Sequence, residues 1–131
     1  MGMRFLGIDF GTKRVGLAIS DEGGQLAFPK EVLANDSNLI GGLLGVIQAE
    51  QVSEIVVGES TNFHGEANPI SKKIEEFISL LQTKTNLPIH TQKEFLTSVE
   101  ARRYKDKDTS NAVDASAAAL ILQRYLDKIN K

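Results

Sequence analysis

Four acidic residues stand at strand ends or at the start of a helix: Asp9 in MRFLGIDF, Glu59 after SEIVVG, Glu94 in QKEF, and Asp114 in NAVDASAAAL. Hydrolysis of a phosphodiester by two metal ions needs carboxylate oxygens converging on cations roughly 3.5–4 Å apart. Mg²⁺ suits that arrangement because it takes hard oxygen ligands and keeps several of its waters. No protein nucleophile is required, which fits a chain with no cysteine and two histidines.

Asp9 ends a run that reads as a strand apolar on both faces, and strand alternation puts it with Phe5 and Gly7, opposite Ile8 and Phe10. An ionised carboxylate amid covered apolar surface is costly unless it is paired, hydrogen-bonded or metal-bound. The competing reading is a turn carboxylate capping backbone N–H groups before Gly11. Asp114 shares a helical stripe with Ala118, Ile121, Leu122 and Tyr125 and so points toward the sheet. It also fits the third position after an Asn111 N-cap, where an acid suits the helix dipole. Glu59 and Glu94 follow short strands, where open sheets place ligands if the strands are parallel, although solvated loop acids would look the same.

Lys13 and Arg14, just beyond the turn from Asp9, could hold a substrate phosphate or could be ordinary hairpin charge. Arg102, Arg103, Lys105 and Lys107 form a fuller basic patch, diluted by Asp106 and Asp108. His64 and His90 lack metal-ligand spacing and read as loop or surface residues, with His64 a weaker candidate for a substrate contact.

The elements that must position these groups follow from periodicity. Strands are predicted over 3–10, 14–20 and near 25–32, with turns at Gly11-Thr12 and Asp21–Gly24, giving an antiparallel meander. Helical spacing predicts a helix over about 36–50, weakened by Gly41, Gly42 and Gly45. Residues 53–58 read as a buried strand, 59–68 as a polar loop, and Pro69 as a helix start. A short strand at 87–91, a helix opened by the capping box Thr97-x-x-Glu100, a polar loop at 105–111 and a helix from about 112 to 129 complete the chain. The expected fold is α/β: a mixed five-stranded sheet, three strands antiparallel and two parallel, with helices on both faces.

Length predicts one domain over residues 1–131. The 41% hydrophobic and 24% charged content is that of a globular chain. No leader motif and no apolar run long enough to span a bilayer is seen, so the expectation is a cytoplasmic protein without membrane contact. The net charge of −2 demands that nucleic-acid binding come from local patches, while bound cations would offset clustered carboxylates.

Asp9 within GIDFGTKRVGLAISD, Glu94 and Thr97 within KEFLTSVEA, and Asp114 within VDASAAALILQRYLD together resemble the YqgF/RuvX family, labelled pre-16S rRNA nuclease and formerly Holliday junction resolvase. The resemblance extends over nearly the whole chain, including Gly58 and the Asn62-x-x-Gly65 loop. It implies an RNase H-like fold and a carboxylate cluster of Asp9, Glu94 and Asp114 binding Mg²⁺ or Mn²⁺. It also implies a nucleic-acid substrate, structured RNA such as pre-16S rRNA or else branched DNA, for which Lys13, Arg14, Thr97, Arg102 and Arg103 are the candidate contacts. A monomer or weak homodimer is expected. The family commonly has Asp-Glu-Arg where this chain has Lys93-Glu94-Phe95, and Gly-Leu-Pro where it has Gly58-Glu59-Ser60. Glu59 is therefore a candidate to replace the acid lost beside Glu94.

Three other readings compete. Junction resolution uses the same chemistry on branched DNA, typically by a symmetric dimer. GIDFGTKRVG also resembles the first phosphate loop of sugar kinases and actin-like ATPases, but 131 residues cannot hold the two domains those proteins need. A non-catalytic nucleic-acid-binding module is the third, favoured by Lys93 and Phe95.

Overall fold

The computed structural model describes residues 3–11, 13–61, 69–95 and 110–130, with backbone alone for 59–61, 69–71, 93–95 and 110–114. Five strands and three helices lie among the described residues: β1 (Arg4–Phe10), β2 (Arg14–Ser20), β3 (Ala27–Ala34), α1 (Leu39–Ala49), β4 (Val52–Thr61), α2 (Pro69–Lys84), β5 (Ile89–Phe95) and α3 (Ser110–Ile129). The sheet order is β3-β2-β1-β4-β5. β1–β2 and β2–β3 are antiparallel, while β1–β4 and β4–β5 are parallel. This is the mixed sheet expected from the meander and the αβ units that follow it.

The central strand β1 is apolar and buried from Phe5 to Ile8 because both of its faces are covered there. Leu6, Ile8, Val15, Leu17, Ile55 and Val57 pack against Leu39, Leu43 and Val46 of α1 and Ile74, Phe77 and Leu81 of α2. On the other face Phe5, Ala18 and Val56 meet Ala118, Ile121, Leu122 and Leu126 of α3. Burial of these side chains is the main favourable term holding the three layers together. Among the described residues no helix is long and apolar enough to cross a membrane.

Several boundaries differ from those periodicity predicts. β3 starts two residues later than 25 because Asp21 Oδ1 accepts hydrogen bonds from Gln25 N (2.8 Å) and Leu26 N (3.1 Å), which keeps both in the turn. β4 continues to Thr61 and β5 to Phe95, so Glu59 and Glu94 lie within strands rather than in loops after them. Parallel pairing from Gly58↔Gln92 to Thr61↔Phe95 provides backbone hydrogen bonds whatever the side-chain polarity. α3 is already helical at Ser110, so Asn111 is inside the helix and cannot be its N-cap. The predicted helix at Thr97 lies outside the described residues.

Candidate active site at the carboxyl ends of the parallel strands

β1, β4 and β5 run parallel, so their carboxyl ends form one edge, and Asp9 is the penultimate residue of β1 at that edge. The turn beside it is tight. Gly11 N donates to Arg14 O at 3.0 Å, and a Cβ on Gly11 would fall 2.5 Å from that same oxygen, so only glycine fits. Asn35 braces this turn from β3's end, its Nδ2 donating to Gly11 O (2.7 Å) and its backbone N to Lys13 O (2.9 Å). Asp9 is half-buried, as a carboxylate at a covered strand end should be.

Register decides which acid positions share a face with Asp9. Ile8 pairs with Val57, so one step on, Asp9 is level with Gly58, which pairs with Gln92. Val56 and Gly58 lie under α3, as do Phe5 and Gly7. Two residues beyond Gln92, Glu94 pairs with Ser60 and keeps the parity of Asp9, Gly58 and Gln92. Glu59 pairs with Lys93, and both positions take the parity of Ile8 and Val57, which face α1 and α2.

α3 lies antiparallel to β1. The Phe5 and Tyr125 rings are 6.1 Å apart, and one step up the strand Gly7 meets Leu122 and Ala118. Two strand residues advance about 7 Å and five helical residues about the same. Continuing that correspondence puts Asp9 level with about residue 115 of α3, so Asp114 belongs to the same end of the same sheet face. Strand register thus gives Glu94 the parity of Asp9 and Glu59 the opposite parity. Among the described residues no three acidic or histidine side chains gather as a metal site, and the side chains of Glu59, Glu94 and Asp114 lie outside those described.

Of the predicted cations, Lys13 is exposed at the turn. Arg14 opens β2 half-buried, with the parity of Gly16, the partner of Asp9. Thr97, Arg102, Arg103, Lys105, Lys107 and His64 lie outside the described residues.

The reading of His90 as a loop or surface residue needs correction. It sits in β5, half-buried, stacked on Tyr125 at 5.3 Å with Nε2 2.6 Å from Glu54 Oε1. Both residues have α3-facing parity, so the pair ties β4 and β5 to the helix beneath the acid positions. Burial, and secondarily Glu54, raises the Tyr125 pKa above that of an ordinary tyrosine. Gln92 was also missed by the sequence reading, and only the strand register reveals that it shares the row of Asp9.

The sequence matches the family model described as "RuvX: Holliday junction resolvase" over residues 3–128. A relative from Nitratidesulfovibrio vulgaris, named "Putative pre-16S rRNA nuclease", is 36% identical across 95% of this chain and 94% of its own length. A relative of the same name from Halothermothrix orenii is 36% identical across 98% of each. Among solved structures, Thermus thermophilus RuvC superposes with a TM-score of 0.62 at 14% identity, covering 98% of this chain and 96% of that one. The fowlpox virus Holliday junction resolvase does so at 0.59 and 16%, covering 96% and 99%. Sheet order, helix placement and these superpositions define an RNase H-like fold, and the matches along nearly the entire sequence make the chain a member of the RuvX family.

Proposed function

We propose that this protein is a metal-dependent nuclease of one domain, acting in the cytoplasm on the 5′ end of pre-16S rRNA as a monomer or weak homodimer. The substrate is taken from the names of its relatives. The observation that carries the chemistry is the half-buried Asp9 at the carboxyl edge of the parallel strands, with position 94 two residues further along the same sheet face and position 114 near the start of the helix that covers it.

The donor set fits a hard divalent cation, Mg²⁺ or Mn²⁺: Asp9, Glu94 and Asp114 offer only carboxylate oxygens, and Gln92 beside them offers an amide oxygen. When bound, the ion supplies Lewis acidity toward the phosphate and lowers the pKa of water. The three carboxylates hold the negative charge that draws the cation to this edge. Lys13 and Arg14, across the turn braced by Asn35, orient the phosphate backbone. Thr97, Arg102 and Arg103 extend that contact along the nucleic acid. The opposite parity of Glu59 supports leaving it out of the metal shell, against the substitution of one acid for another that the Lys93 position suggests.

The test is cleavage of a precursor rRNA fragment carrying the unprocessed 5′ end, compared with a synthetic four-way junction. Cutting of the RNA that needs Mg²⁺ or Mn²⁺, stops with EDTA and is lost in Asp9→Asn is the expected result. Preferential cutting of the junction would instead identify a resolvase. RNA binding without cutting, identical in Asp9→Asn, would identify a non-catalytic module.

A further inference from the structure

We infer that Gln92 is a positioning residue of the acid site, its side-chain oxygen accepting a hydrogen bond from the hydration shell of the bound cation. The inference rests on the nuclease reading above. Gln92 Oε1 is buried and has no hydrogen-bond partner among the described residues. Buried polar atoms in folded proteins are almost always satisfied, and an orphan marks strain, a catalytic role, or a missing water or ion. Gln92 occupies the row of Gly58 and hence of Asp9, two residues before Glu94 on the same strand and with the same parity.

The neighbouring position on β4 is Gly58, which has no side chain to offer. Ile121 closes that gap so tightly that a Cβ on Gly58 would fall 2.6 Å from Ile121 Cδ1. The β4 position beside Gln92 thus brings no polar side chain to it, and Glu94 follows two residues further along the same strand. Mg²⁺ and Mn²⁺ retain waters whose protons are strong donors, and a neutral amide oxygen can accept one without adding charge to an already acidic site. Groups that orient a metal's surroundings in this way are typically worth tenfold or more in metal affinity.

The inference separates affinity from folding. Replacing an unsatisfied buried polar group by an apolar one of similar size leaves stability unchanged or improves it. In EDTA-treated full-length protein, Gln92→Leu and Gln92→Met are expected to melt at the wild-type temperature or a few degrees above it. Calorimetric titration of Mn²⁺ should then give a Kd raised by roughly tenfold, with Asp9→Asn titrated as the control. Wild-type Mn²⁺ affinity in both Gln92 variants, alongside lost binding in Asp9→Asn, would overturn the role of Gln92 alone. Wild-type affinity in Asp9→Asn would overturn the acid site and this inference together.

Discussion

Gly7 and Leu122 are packed so closely that a Cβ on Gly7 would lie 2.7 Å from the Leu122 Cβ and 3.1 Å from the Ala118 carbonyl oxygen. The absent side chain is what lets α3 rest directly on β1. Because the helix runs antiparallel to the strand, that contact sets how near its first turns come to Asp9. The obstacle at Gly7 is a Cβ and a backbone carbonyl, neither of which can rotate aside.

Gly7→Ala should therefore push α3 off the sheet, costing about 1–3 kcal/mol of stability as overpacking does, with a larger fractional loss of nuclease activity. Gly58→Ala meets the Ile121 Cδ1, the movable end of a side chain, and should cost less. Denaturant unfolding of both variants with a cleavage assay checks the order. Equal stability in Gly7→Ala and wild type would mean the helix is not seated as described.

Asn35→Ala removes the Nδ2 hydrogen bond to Gly11 O while leaving the backbone bond from Asn35 N to Lys13 O in place. One such bond contributes about 1 kcal/mol, and its loss should loosen the turn that presents Lys13 and Arg14. The expected result is a small drop in Tm with KM raised several-fold and kcat less affected.

Asp21 supplies a pH-dependent contribution at the β2–β3 turn. Backbone N–H donation from Gln25, then from Leu26, holds its carboxyl below its ordinary value of 3.8. A depressed folded-state pKa contributes stability that is present above the unfolded value and lost as pH falls through the folded one. Asp21→Ala should be less stable than wild type at pH 6–7, and the difference should shrink once pH drops below 3.8. Urea midpoints at several pH values measure this, and a gap that widens on acidification would contradict it.

The parity of the strands gives a ranking among the acids. Asp9→Asn, Glu94→Gln and Asp114→Asn should each reduce cutting by a factor of about 100 or more, the scale of losing a group that stabilises developing charge. Glu59→Gln should stay within a few-fold of wild type. A Glu59→Gln variant as impaired as Asp9→Asn would bring that residue back into the site.

Much of this arrangement is legible in the sequence, and the parts that are not have a common cause. MRFLGIDF and RVGLAIS announce β1 and β2 because one is apolar on both faces and both end at glycine- or acid-rich turns. The carboxyl-terminal halves of β4 and β5 carry no such signal. GEST and TQKEF are polar, and the backbone pairing Gly58↔Gln92 to Thr61↔Phe95 that makes them strands is a non-local property. The same limit hid the difference between Glu59 and Glu94, since alternation assigns faces only once strand bounds and register are known. His90 was misjudged because its partners, Glu54 and Tyr125, lie 36 and 35 residues away in the chain. The family resemblance named Asp9, Glu94 and Asp114, but only the sheet register and the Gly7–Leu122 contact give a physical reason for grouping them.

Anomalous X-ray diffraction from crystals soaked in Mn²⁺ tests that grouping most directly. The expected result is a manganese peak ligated by Asp9, Glu94 and Asp114, on the sheet face covered by α3, with Glu59 outside its coordination shell. Manganese bound elsewhere, with the three carboxylates turned away from one another, would contradict it.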